Sequence, residues 1–78
     1  MIQRRNLNTI ANEIRNDWKK VSPYAEPYLA AMSQLESINE KYYLDDASSV
    51  VLYFLANAGG WRGETARRIK KELKEMVG

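Results

Sequence analysis

Cysteine and histidine are both missing from this chain of 78 residues. Without cysteine there is no disulfide, no thiolate nucleophile and no redox couple. Without histidine the commonest general base is gone, and with neither residue present zinc, copper and haem lose their usual ligands. Long apolar runs are scarce as well. The longest strongly apolar stretch is Val50 to Ala56, far short of a bilayer span. The early arginines are not followed by the apolar segment of a signal peptide. The expectation is a cytoplasmic protein with no membrane contact.

The carboxylates and hydroxyls that remain suggest little chemistry. Asp45-Asp46 lacks the alternating oxygen ligands of a calcium loop, with only Glu40 as a further nearby acid, so helix capping is the better reading. Ser48-Ser49 has no histidine to activate it and only Lys41 nearby. Paired-carboxylate hydrolysis needs two acids across a cleft, and so short a helical chain offers little cleft. No glycine-rich phosphate loop follows a strand, because no segment reads convincingly as one. The chain is expected to be non-enzymatic, with no catalytic residue, no cofactor, no metal and no small-molecule substrate.

What is present is helical periodicity from end to end, without internal repeats or low-complexity tracts. Residues 1–78 fit a single all-α domain, a compact four-helix arrangement with short connections, its helices near 6–20, 24–43, 46–57 and 63–77. Asn6 is a good N-cap for the first helix. Leu7, Ile10, Ala11, Ile14 and Trp18 then recur at three- and four-residue spacing on one stripe. In "VSPYAEPYL" the prolines stop the chain and restart it. Either Ser22 caps with Pro23 in the first turn, or the new helix begins at Pro27. Tyr28, Met32, Leu35, Ile38 and Tyr42 supply its apolar face, while Tyr24 and Tyr43 fall off the stripe.

The third helix, opened by Asp45 or Asp46 as a cap, is apolar nearly all round, Val50 to Leu55 being consecutive. β-branched and aromatic residues in a row also suit a strand, but the caps and the helical flanks favour a helix. A helix apolar on every side is either central or covered by another subunit. A glycine between Asn57 and Gly60 is expected to end it in the left-handed conformation. In the fourth helix Ala66, Ile69, Leu73 and Met76 face inward, and Glu64–Arg68 and Lys71–Glu75 are placed to pair at four-residue spacing.

Charge is uneven along this pattern. Residues 1–20 carry five basic and two acidic side chains, residues 21–60 one basic and five acidic, and residues 61–78 six basic and three acidic. Opposed faces attracting each other, or a second subunit, explain this most simply. A second reading comes from "NAGGWRGETARRIKKELKEM". Ala56, Gly60, Ala66 and Ile69 match the spacing of a helix–turn–helix, with Leu55 and Trp61 as flanking apolar positions. The last helix would then offer Arg67, Lys71 and Lys74 as a ridge, with Arg68 and Lys70 beside it and Arg62 and Thr65 near its N-terminus. Arginine can read guanine, and lysine neutralises phosphate. Glu64, Glu72 and Glu75 on the same helix oppose this, and "NAGGWRG" is longer than a tight turn. Trp61 has two readings of its own: packing at the start of the last helix, which is favoured, or, with Arg62, an anchor for a protein partner.

"WRGETARRIKKEL" resembles the end of the Fis-type DNA-binding helix pair over about a dozen residues of commonplace type. Over the whole chain, "PYAEPYLAAM" and "SSVVLYFLANAGGWRGETARRIKKELKEM" resemble small uncharacterised bacterial proteins carried on phages and conjugative elements. That resemblance implies an accessory role toward a host macromolecule and supplies no functional residues. Two functions therefore stand as expectations. The first is a helical protein-interaction or accessory module, with a protein partner or a homodimer. The alternative is a helix–turn–helix DNA-binding protein using the 63–77 helix.

Overall fold

Helix α1 (Leu7–Asp17) buries Leu7, Ile10, Ala11 and Ile14, the stripe that its spacing predicts. The computed structural model describes residues 5–42 and 45–77. Asn6 stands at the N-cap position, but its side chain makes no capping bond. Its work is done by distant backbone instead. The first amides of the helix, of Leu7 and Asn8, donate to the carbonyls of Glu36 and Leu35, each at 2.9 Å. The helix is also shorter than its pattern suggests. Trp18 leaves helical dihedrals, at φ −93° and ψ 89°, and Lys19 and Lys20 lie beyond the end.

Helix α2 (Glu26–Met32) follows a turn in which the amides of Ala25 and Glu26 donate to the Ser22 carbonyl. Pro27 sits in its first turn, where a missing N–H costs nothing. The helix spans seven residues, and the expected continuation to residue 43 is wrong. The reason lies in "SQLESINE", where polar side chains compete for the backbone. The Ser33 hydroxyl donates to the Ala30 carbonyl at 2.6 Å. One oxygen of the Glu40 carboxylate accepts from the amides of Glu36 and Ser37, at 2.7 and 2.6 Å. With carbonyls 35 and 36 turned toward α1, this segment closes another helix rather than extending its own. Leu35 and Ile38 are nonetheless buried, because a three-residue spacing serves a chain of tight turns as well as a helix.

Two short strands follow, β1 (Lys41–Tyr42) and β2 (Asp45–Asp46), paired antiparallel with Lys41 opposite Asp46 and Tyr42 opposite Asp45. Tyr42 thus belongs to a strand rather than a helix. The expectation for Tyr43 lies outside the described residues. Helix α3 (Ala47–Ala56) starts from Asp46, whose side chain makes no capping bond either, and the Ala47 amide donates to the Glu40 carbonyl at 2.9 Å. Helix α4 (Glu64–Val77) buries Ala66, Ile69, Leu73 and Met76, as its periodicity requires.

The fold is all-α, with four helices among the described residues. Helices α1 and α3 each pack against both α2 and α4, so α2 and α4 stand across the molecule from one another. One core fills the ring. At one end of it Trp18, Phe54 and Trp61 form an aromatic cluster. The two indoles stack with centroids 5.8 Å apart, and Phe54 meets each of them edge-on at 6.3 and 6.4 Å. No helix among the described residues is long and apolar enough to cross a membrane.

Candidate interaction surfaces

The corner between α3 and α4 decides what the basic helix can present. Asn57 ends α3, the Trp61 amide donates to the Ala58 carbonyl at 3.0 Å, and the Gly63 carbonyl accepts from Arg67 at the start of α4. Gly63 holds φ +114°, a conformation that favours glycine. The expected left-handed glycine between Asn57 and Gly60 is therefore misplaced: neither Gly59 nor Gly60 adopts that φ, and a methyl group at either would meet open space. Ala56 is exposed, so it is not the small residue that lets α4 pack close. Two of the four positions behind the helix–turn–helix pattern do not play their parts. The small buried residue at this corner is Ala58.

Trp61 is 2 % exposed. Its indole Nε1 donates to Asp17 Oδ2 at 2.8 Å, and its carbonyl accepts from Lys70 Nζ at 2.7 Å. Packing is its role, and burial leaves it no surface for a partner contact. The physical reason is the stacking partner Trp18, which leaves α1 to meet it. Arg62, the other half of that candidate pair, is exposed.

The sequence-predicted cationic residues divide into two groups. Arg68 reaches across to α1 and pairs with Glu13. Glu13 also receives Arg5 at 2.7 Å, and Arg5 grips Glu72 with two bonds, at 2.7 and 2.9 Å. This chain of four charges fastens α4 to α1, so the expected Glu64–Arg68 pair does not form. The hydrogen bonds from Arg5 and then Arg68 hold the Glu13 carboxyl below its ordinary range. Arg15 is tied to Glu26 of α2 in the same bidentate way, at 2.7 and 3.1 Å. By contrast Arg62, Arg67, Lys71 and Lys74 are exposed and make no ion pair among the described residues. The expected Lys71–Glu75 pair is absent from that set too. Thr65 is half-buried.

Lys70 joins the unpaired group from its edge. Its ammonium lies 5.9 Å from the centre of the Trp61 ring. Burial lowers its pKa, and repulsion from Lys74 and Arg62 lowers it further. Those three side chains are therefore close enough to share one positive field.

A second surface was only half legible. Helix α3 contains no charged residue. It buries Ala47, Val50, Val51 and Phe54, yet Leu52 is 52 % exposed and Tyr53 51 % exposed. Ser49, Leu52, Tyr53 and Ala56 stand three and four residues apart and form one outward, uncharged face. The Tyr53 ring meets Tyr28 of α2 at 5.4 Å, and Tyr24, just before α2, is 75 % exposed. The composition of α3 announces that some apolar surface is left over. Which side chains carry it follows only from the packing of α3 between its two neighbours. No protein-family model matches the chain, and no curated protein or solved structure does either.

Proposed function

We propose that this protein is a non-enzymatic interaction module that binds a partner protein through the outer face of α3. The observation that carries this reading is the uncharged helix with Leu52 and Tyr53 half in water. Exposed apolar residues scattered singly are ordinary, whereas a helix face with no charge at all, continued by Tyr28, forms a patch of the kind that marks contact sites. Tyrosine suits such a role, since it adds large contact area with few rotatable bonds and one polar tip. Ser49 and Ala56 beside Leu52 leave room for a second helix to approach closely.

Charge favours a different protein over a second copy. The segment that holds α2 and α3, residues 21–60, carries five acidic side chains against one basic. A symmetric contact would bring two such surfaces together. An apolar helix with a basic rim suits the face better. The likeness to small proteins of phages and conjugative elements fits an accessory module acting on a host macromolecule.

A photoreactive amino acid placed at Leu52 in living cells tests the reading, with the same probe at Glu36 as a control. One defined adduct from position 52, missing from position 36 and abolished by Ala56→Lys, supports it. No adduct, or the same adducts from both positions, refutes it, and an adduct of twice the chain mass would make the occupant a second copy.

A further inference from the structure

We infer that the outward ridge of α4, Arg67, Lys71 and Lys74 with Arg62 beyond its N-terminus, docks on the phosphate backbone of a nucleic-acid duplex. This surface is separate from the α3 face proposed above, and either can fail without the other.

The ridge leaves its own charges unsatisfied. Arg5, Arg15 and Arg68 all end on carboxylates, whereas the four ridge cations meet none among the described residues. Lys70 adds a fifth positive charge at the edge, crowded enough by Lys74 and Arg62 to feel their repulsion. An anion supplied from outside relieves that repulsion.

The spacing of the ridge also matches a duplex. Arg67 and Lys74 are seven residues apart, about 10 Å along a helix, and about 10 Å of duplex carries roughly three phosphates on each strand. Three cations at three- and four-residue intervals thus meet a run of phosphates of similar length.

The chemistry around the ridge then selects the polyanion. The exposed aromatic residues among the described ones are Tyr24, before α2, and Tyr53, on α3. The ridge has none, so bases of a single strand find nothing to stack on. The apolar side of α4 is buried in the core, so the helix has no apolar face to sink into an anionic membrane. Ala56 is exposed and Gly60 is unstrained, so two positions of the groove-reading pattern do not serve it. Binding is to backbone, without sequence preference. Glu64 and Glu75 border the ridge and weaken it.

Fluorescence anisotropy of a labelled 20-base-pair DNA duplex, titrated with the full chain at several salt concentrations, tests this. Affinity should fall with salt at a log–log slope of about −2.7 to −3.6, the value for three or four phosphates neutralised. The triple variant Arg67→Ala, Lys71→Ala, Lys74→Ala should fold, as circular dichroism will show, and lose at least tenfold in affinity together with most of the slope. Glu64→Gln with Glu75→Gln should bind more tightly than wild type. No binding at about 50 mM salt, an unchanged triple variant, a preference of more than about a hundredfold for one duplex sequence, or tighter binding to phosphatidylserine vesicles than to DNA would each overturn the inference.

Discussion

Gly60 and Gly63 are three residues apart and have opposite structural importance. Gly63 occupies a left-handed φ that a side chain would strain, while Gly60 has open space and no such φ. Gly63→Ala should lower stability by about 1 kcal/mol or more, and Gly60→Ala should be neutral or stabilise by up to about 1 kcal/mol, because it restricts the unfolded chain. Urea denaturation of the two variants checks this. Trp61 and Arg62, adjacent in sequence, separate in the same way. Removing the indole deletes a stack on Trp18, an edge contact with Phe54 and the bond to Asp17. Trp61→Ala should cost about 3–5 kcal/mol, as much as a core of this size supplies, so circular dichroism should find the variant largely unfolded at room temperature. Arg62→Ala should leave stability within about 0.5 kcal/mol of wild type.

Between elements, ion pairs at the edge of the core join one helix to the next. Arg5, Glu13, Arg68 and Glu72 join α4 to α1, and Arg15 and Glu26 join α1 to α2. Glu13 is the shared acceptor of the first group. Its folded pKa lies below the ordinary 4.5, so the stability it contributes is complete above that value and disappears as pH falls through the folded pKa. Glu13→Gln should therefore be less stable than wild type by on the order of 1 kcal/mol at pH 7, partly exposed pairs being worth little more. The difference should persist down to about pH 5 and close at lower pH. Urea midpoints of the two proteins across that range measure it. A gap that widens in acid would mean that the carboxylate destabilises the fold.

At the scale of the whole molecule, much of the inside was legible and little of the outside was. The stripes of α1 and α4 are buried as their spacing requires, since a helix can hide only one side. The spacing of Leu35 and Ile38 marks them rightly as core but wrongly as helix. Hydrophobic spacing reports burial, while the path of the backbone there depends on Glu40 and on α1's need for carbonyls, both non-local. The same blindness affected charge: Arg68 found Glu13, 55 residues away in sequence, instead of its helical neighbour Glu64. It affected the corner as well. The pattern around Ala56 and Gly60 was met in residue type, but the packing runs through Ala58, Trp61 and Gly63. The surplus of apolar residues in α3 was visible in the sequence, whereas the identity of the exposed ones depended on how its neighbours pack.

For α3 to bind a partner, its outer face must be dispensable for folding. Equilibrium urea denaturation of Leu52→Gln combined with Ala56→Lys tests that most directly. Both positions are exposed, so stability should stay within about 1 kcal/mol of wild type, with an unchanged denaturant slope. A loss of about 3 kcal/mol, as for a deleted core side chain, would show that this face belongs to the fold and contradict its use as a binding surface.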